Sequence, residues 1–291
     1  MITSGSNQHI QLLRSLHTPK GREQQQAFLV EGPHLLEATF AAGVTPLLVV
    51  YNPDDLERTA EGRKLLGQIQ AAAAEGAQVY EAAPAAVERA ADTRTPQGVV
   101  AAVAQADVAT AKVRARRRGR MRPIVLLLDA IGDPGNLGTI LRSALAADAD
   151  EVALGPGCAD PFNPKVLRAG VGAHFRLPVR ELASWAEARE LLRGAPAARQ
   201  VLVAESEGRV PYVECDLTLR TGLIVGNEAH GTSPEAAKMA TQHISIPMYN
   251  HVESLNAAVA ASVILFEAAR QRRTAERDEQ QHAAASETTT E

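Results

Sequence analysis

The chain has 291 residues, 45% of them apolar and 22% charged, with a net charge of −4, proportions that exclude a low-complexity or fibrous protein and argue against a general nucleic-acid coat. Its two cysteines, Cys158 and Cys215, lie in no paired motif, which speaks against a disulfide framework or a zinc site and makes a reducing cytoplasm the simplest compartment. There is no apolar run long enough for a membrane span, and the N-terminus lacks the apolar centre of a signal peptide.

The length suits two domains of about 100–200 residues each. Aromatics are only 3%, so the cores must be built from Ala, Val, Leu and Ile, which favours helices packed on strands. Residues 1–20 read as a short helical arm. A strand over 27–31, a helix over 33–42 and a strand over 46–51 follow, with Pro33 in the first helical turn and Gly43 at its end. A helical stretch over 56–77 leads to a short strand at 78–80. A helix over 82–92 then precedes a strand over 95–105 that carries Gly98. This alternation predicts a small α/β sandwich over 1–106.

A basic linker over 107–122 divides the chain. It contains "KVRARRRGRMR", with seven basic residues in eleven, among them Arg116, Arg117 and Arg118. Such a cluster is either a solvated connector or an electrostatic footing for a phosphate backbone. Beyond it, strands at 124–129, 151–154, 200–204, 222–225 and 243–246 alternate with helices at 137–147, 165–170, 185–193, 234–239 and 256–272. That pattern predicts a parallel-sheet α/β domain over 123–273. Residues 274–291 show no apolar periodicity and read as a disordered tail.

Ligands of parallel sheets collect at the carboxyl ends of the strands, and three loops there carry chemistry. The first, "DAIGDPGNLGTILRSA", holds Asn136 and Arg142. Its glycines, Gly132, Gly135 and Gly138, fall three apart, which fits neither a dinucleotide fingerprint nor a phosphate loop. The second is "LIVGNEAHGTSPE", with Gly226, Asn227 and Glu228. In the third, "ISIPMYNHVESLNAAVAASVILFEA", Ser254-Leu255-Asn256 opens an Ala-rich helix. Each loop alone has an ordinary explanation: Ser254 or Asn256 as a helix cap, Glu228 as a surface acid. Their conjunction, in this order and spacing, is far more specific. The histidines show no metal-ligand spacing, and His174, His230 and His251 read as packing or hydrogen-bonding residues.

The three loops together resemble the motifs of the SpoU/TrmH class of RNA ribose 2′-O-methyltransferases. Asn136 with Arg142 matches the first motif, Gly226-Asn227-Glu228 with Gly231 the second. Ile246-Pro247-Met248 plus Ser254-Leu255-Asn256 and Ala260 match the third. The stretch 160–179 is also similar to the family's segment between first and second motifs. "FLVEGPHLLEA" resembles the start of a ribosomal-protein-like, RNA-binding N-terminal domain. One departure is Ala229, where many members carry a glycine directly after the Glu.

The resemblance implies a deep trefoil knot in the C-terminal domain and S-adenosylmethionine as cofactor. That cofactor would be held mainly by backbone around Gly226, Asn227, Ile246, Pro247, Met248 and Leu255. It implies Asn136, Arg142, Glu228, Ser254 and Asn256 as catalytic residues and no metal. It further implies a homodimer whose site is completed across the interface. RNA contacts are expected from Arg142, from Lys165 and Arg168, and from the basic linker. The favoured substrate is 23S rRNA, because members with this N-terminal domain include antibiotic-resistance enzymes of the thiostrepton and avilamycin kinds. The alternatives are a tRNA 2′-O-methyltransferase and a non-catalytic rRNA-binding protein on the same fold.

Overall fold

Short apolar strands separated by capped helices leave few ways to bury both faces of a sheet. The computed structural model describes residues 1–108, 123–193, 198–227 and 230–288, with side chains to residue 281. The chain forms two compact units, Met1–Arg116 with Asp160–Pro178, and Arg117–Ala159 with Val179–Glu291.

In the first unit β1 (Ala27–Glu31), β2 (Leu48–Tyr51), β3 (Gln78–Glu81) and β4 (Val99–Ala104) form a sheet of order β1-β4-β2-β3. Strand β4 runs antiparallel to β1 and β2, and β2 runs parallel to β3. The helices are α1 (Gln8–Ser15), α2 (Pro19–Gln25), α3 (Pro33–Ala41), α4 (Pro53–Glu57), α5 (Ala60–Ala74), α6 (Pro84–Ala90) and α7 (Gln105–Val108). Thr18, Asn52 and Thr59 start α2, α4 and α5, each side chain accepting a backbone N–H of the first turn. Four first turns of these helices also carry a proline, whose missing N–H costs nothing there.

Strand periodicity of two sorts this core into layers. Leu29, Val50, Val100 and Ala102 pack with Leu13 of α1 and Val87 of α6. Phe28, Val49, Val99 and Ala101 face the other way, onto Leu36 of α3 and Ile69 of α5.

The second unit is built on a seven-stranded sheet. Its strands are β5 (Ile124–Leu128), β6 (Glu151–Leu154), β7 (Val179–Glu181), β8 (Gln200–Ala204), β9 (Val210–Pro211), β10 (Thr221–Val225) and β11 (Gln242–Ser245). Their order is β7-β6-β5-β10-β8-β11-β9, and every pairing is parallel. Parallel strands are covered on both faces and read as unbroken apolar runs, as "IVLLL" and "TGLIV" do. The helices are α8 (Pro134–Ala146), α9 (Pro164–Gly170), α10 (Trp185–Arg193), α11 (Pro234–Ala237) and α12 (Ala257–Thr288). Trp185, Ala188 and Leu192 of α10 pack on Leu127, Val203 and Ile224, while α8 and α12 pack on each other.

Helix α9 lies elsewhere. Between β6 and β7, residues Asp160–Pro178 belong to the first unit, whereas the sequence placed 123–273 in one domain. Strand β1 is an edge strand whose five residues are all buried. Helix α9 packs on it, and Phe162, Leu167 and Phe175 join its core, which shields the edge from pairing with another chain. Two ion-pair groups fix the segment: Arg22, almost fully buried, pairs with Asp160, and Arg168 pairs with Asp92 at 2.8 Å and Glu31 at 3.7 Å.

The tail also departs from expectation. Residues after Arg273, read as disordered, continue α12 to Thr288, because "AERDEQQHAAA" is rich in strong helix formers.

Candidate active site

The three motif loops meet at the carboxyl ends of β5, β10 and β11, with β8 contributing from between the last two. Helix α8 starts at Asp133, whose side chain caps the Asn136 N–H at 2.9 Å, with Pro134 in the first turn. Asn256 caps α12, its Oδ1 accepting the N–H groups of Ala258 at 2.9 Å and Val259 at 3.3 Å. Its Nδ2 donates to Asn136 Oδ1 at 3.0 Å. Two asparagines 120 positions apart thus meet at the starts of two packed helices. One level deeper the Ser143 and Ser262 hydroxyls lie 2.7 Å apart.

The second loop is tied to the first. Asn227 Nδ2 donates to the Ala130 carbonyl at 2.9 Å, and Asn227 pairs with Gly231 through two backbone hydrogen bonds of 3.0 and 2.9 Å. A side chain at Gly226 would place its Cβ 2.5 Å from the Gly231 carbonyl, so only glycine fits there. Asp129, 3% exposed at the end of β5, accepts the Ser233 N–H at 2.6 Å. Between them Ala130 is held at φ +54°, a left-handed conformation that costs a non-glycine residue about 1 kcal/mol. Asp129 was not among the expected site residues; its only sequence signal was an acid closing an apolar strand.

These loops enclose a cavity of about 430 Å³ lined by Val225, Gly226, Asn227, Ile244, Ile246, Leu255 and their neighbours. Met248, Ser254, Glu205, His230 and Glu253 complete its polar and rim portions. Pro247 lies between two lining residues. The volume falls in the range that holds a small cofactor, and the walls offer an apolar slot beside unshielded backbone at Gly226. That combination fits S-adenosylmethionine, whose adenine needs apolar faces and backbone N–H and C=O partners.

The other expected residues are placed differently. Arg142 is exposed on α8 and does not line the cavity. It follows Asn136 by six residues, about 240° around a helix, whereas Asn136 and Ser143 share the face turned to α12. Lys165 is exposed on α9, in the first unit. Arg168 is engaged there by Asp92 and Glu31. Glu228 and Arg116, Arg117 and Arg118 lie outside the described residues. His174 is buried in the first unit, where burial pushes its pKa down to about 4 against the pull of the Pro161 carbonyl and Asp160. His251 is exposed in the third loop, at φ +58°. Among the described residues no cluster of His, Cys, Asp and Glu could hold a metal, and no helix is long and apolar enough to cross a membrane.

Comparison with known proteins agrees with this geometry. Residues 123–266 match the SpoU rRNA Methylase family, and residues 7–101 match the MRM3-like substrate binding domain. The chain is 34% identical over 272 residues to the 23S rRNA (guanosine(2553)-2′-O)-methyltransferase RlmP of Bacillus subtilis, covering 91% of this chain and 97% of that one. Among solved structures, it is similar to the AdoMet-bound rRNA methyltransferase of Sinorhizobium meliloti, with 29% identity, a TM-score of 0.78 and coverage of 92% and 97%. The SpoU methyltransferase AviRb of Streptomyces viridochromogenes, in complex with AdoMet, matches with 28% identity, a TM-score of 0.78 and coverage of 92% and 100%.

Proposed function

The chain belongs to the SpoU rRNA methylase family, and on that premise we propose that it methylates a ribose 2′-hydroxyl of 23S rRNA. It is an S-adenosylmethionine-dependent RNA methyltransferase. The observation that carries this reading is the cavity at the ends of β8, β10 and β11, beside the Asn136–Asn256 hydrogen bond.

When bound, the cofactor supplies a methyl group on a sulfonium, a good leaving group. The chain must therefore orient the ribose hydroxyl and help remove its proton. Gly226, Asn227, Ile246, Met248 and Leu255 hold the cofactor, and Pro247 shapes the strand end between them. Asn136 and Asn256, which fix each other, orient the sugar together with Ser254 and Glu228, where positioning alone is worth several kcal/mol.

Arg142 clamps the phosphate next to the target ribose. A guanidinium stays protonated in proteins and binds phosphate through two parallel N–H donors, so the clamp, not proton removal, is its work. The hydroxyl proton passes to the adjacent phosphate oxygen. Lys165 and the basic linker with Arg116, Arg117 and Arg118 are proposed as further contacts to RNA phosphates. Arg168 contributes by holding α9 in place.

A second copy of the chain completes the site. Arg142 lies on a different face of α8 from its own chain's Asn136, and Val259 and Phe266, seven positions apart on α12, are 48% and 45% exposed, apolar surface that a second copy would cover. The deep trefoil knot that the family resemblance implies is proposed for the second unit. Resistance to a ribosome-directed antibiotic is the proposed consequence, an expectation that rests on the family resemblance of the sequence alone.

The test is transfer of tritium from labelled cofactor to purified 23S rRNA, 16S rRNA and tRNA, followed by mapping on fragments. Label confined to one 23S fragment is expected. Label in tRNA alone would contradict the substrate, and no transfer to any RNA would favour a non-catalytic binding protein.

A further inference from the structure

The cavity contains a carboxylate that none of the three motifs includes. Glu205 follows directly on β8 and lines the cavity. Its backbone N–H donates to the Ile244 carbonyl at 2.9 Å, and its Oε2 lies 2.8 Å from Nδ1 of His243 on β11. The carboxylate is thus fixed from both backbone and side chain, at 33% exposure. Among the described residues no hydrogen bond occupies its second oxygen, Oε1, which can therefore accept a donor from a molecule bound in the cavity.

Strand order decides which donor. Glu205 sits at the end of β8, two strands from β5, and neighbouring strands are about 4.8 Å apart. It therefore stands roughly 10 Å from the strand that leads to Asn136, on the far side of β10 from that strand. Its place is at the non-reacting part of the cofactor. A ribose offers a vicinal diol there, two O–H donors at the spacing a carboxylate accepts. The ammonium of the amino-acid portion is the other donor available. The ring nitrogen on Oε2 already meets part of the negative charge, which favours neutral hydroxyls over a cation. A separate carboxylate, Glu253, lines the cavity on the third loop.

Resting on the cofactor reading above, we infer that Glu205, oriented by His243, holds the ribose diol of the cofactor's adenosine. Glu205 is a cofactor-binding residue and His243 a positioning residue.

The test is calorimetric binding of S-adenosylhomocysteine and of its 2′,3′-dideoxy analogue to the full chain, with thermal melting to confirm folding. The wild type is expected to prefer the diol by about tenfold, the scale of one hydrogen bond to a charged group. Glu205→Ala is expected to bind S-adenosylhomocysteine about tenfold more weakly and to prefer it over the analogue by less than about twofold. His243→Ala should lose part of the preference, and His243→Asn, which restores an N–H near the Nδ1 position, should recover it. A Glu205→Ala variant that keeps the full preference would overturn the inference, even if it bound both compounds more weakly. Equal wild-type affinity for the two compounds would overturn it as well. If the wild type binds neither compound, it is the cofactor reading of the cavity that fails.

Discussion

At the scale of single residues, Arg142 carries the sharpest prediction. A clamp that depends on a planar fork is lost when only a point charge remains. Arg142→Lys should therefore lower kcat by about 100-fold or more, the scale of removing one aimed donor, with cofactor affinity unchanged. Single-turnover rates near wild type would contradict the clamp. His174 gives a prediction on stability. In the unfolded chain it takes up a proton as pH falls through 6.5, whereas in the folded chain it does so only near 4. Its neutral form is thus favoured by folding, so the contribution is complete above pH 6.5 and drains away as pH falls towards 4. The total is roughly 3 kcal/mol. Denaturant titrations should show His174→Phe flattening the acid side of the stability curve between those limits, and an unchanged slope would refute the burial argument. The meeting of the motif loops, seen in the Asn136–Asn256 and Asn227–Ala130 hydrogen bonds, was expected from the family resemblance. Asp129 and Glu205 were not, because each acts through a partner far away in the chain, Ser233 and His243 respectively.

At the scale of elements, α9 and its flanks are the part of the fold that sequence patterns concealed. "DPFNPKVLRAG" reads as one more helix of the second domain, and only contacts with Phe28 and Arg22 reveal that it closes the edge of β1. Periodicity reports which face of a helix is apolar, not which sheet it covers. Asp160→Ala leaves the guanidinium of Arg22 buried with, among the described residues, only the Leu16 carbonyl, at 2.8 Å, as partner. An uncompensated buried charge of this kind costs about 3–5 kcal/mol, which a shift in the urea midpoint would register. A loss within error of zero would show that the pair does not hold the segment. Strands β7 and β9 escaped detection for a simpler reason: three and two residues are too short to display a period. The final turns of α12 escaped because propensity, not amphipathicity, makes them helical.

At the scale of the whole molecule, the parallel sheet and the division into two α/β parts were legible in alternating strand and helix patterns, while the sharing of a site between copies rests on the resemblance. It can be tested by mixing two inactive variants. Arg142→Ala keeps its cavity, and Gly226→Val, whose Cβ would meet the Gly231 carbonyl, keeps its arginine. If the arginine acts in the partner's site, a mixed dimer holds one intact site and regains methyl transfer that neither variant shows alone. No recovery in the mixture would place both groups in one chain. The most direct measurement of the central claim reads which atom receives the methyl group. Ribosomal RNA labelled from tritiated S-adenosylmethionine is digested with alkali, which cannot cleave after a 2′-O-methylated ribose. Ribose methylation puts the radioactivity in alkali-resistant dinucleotides, and radioactivity recovered as a base-methylated mononucleotide would contradict it.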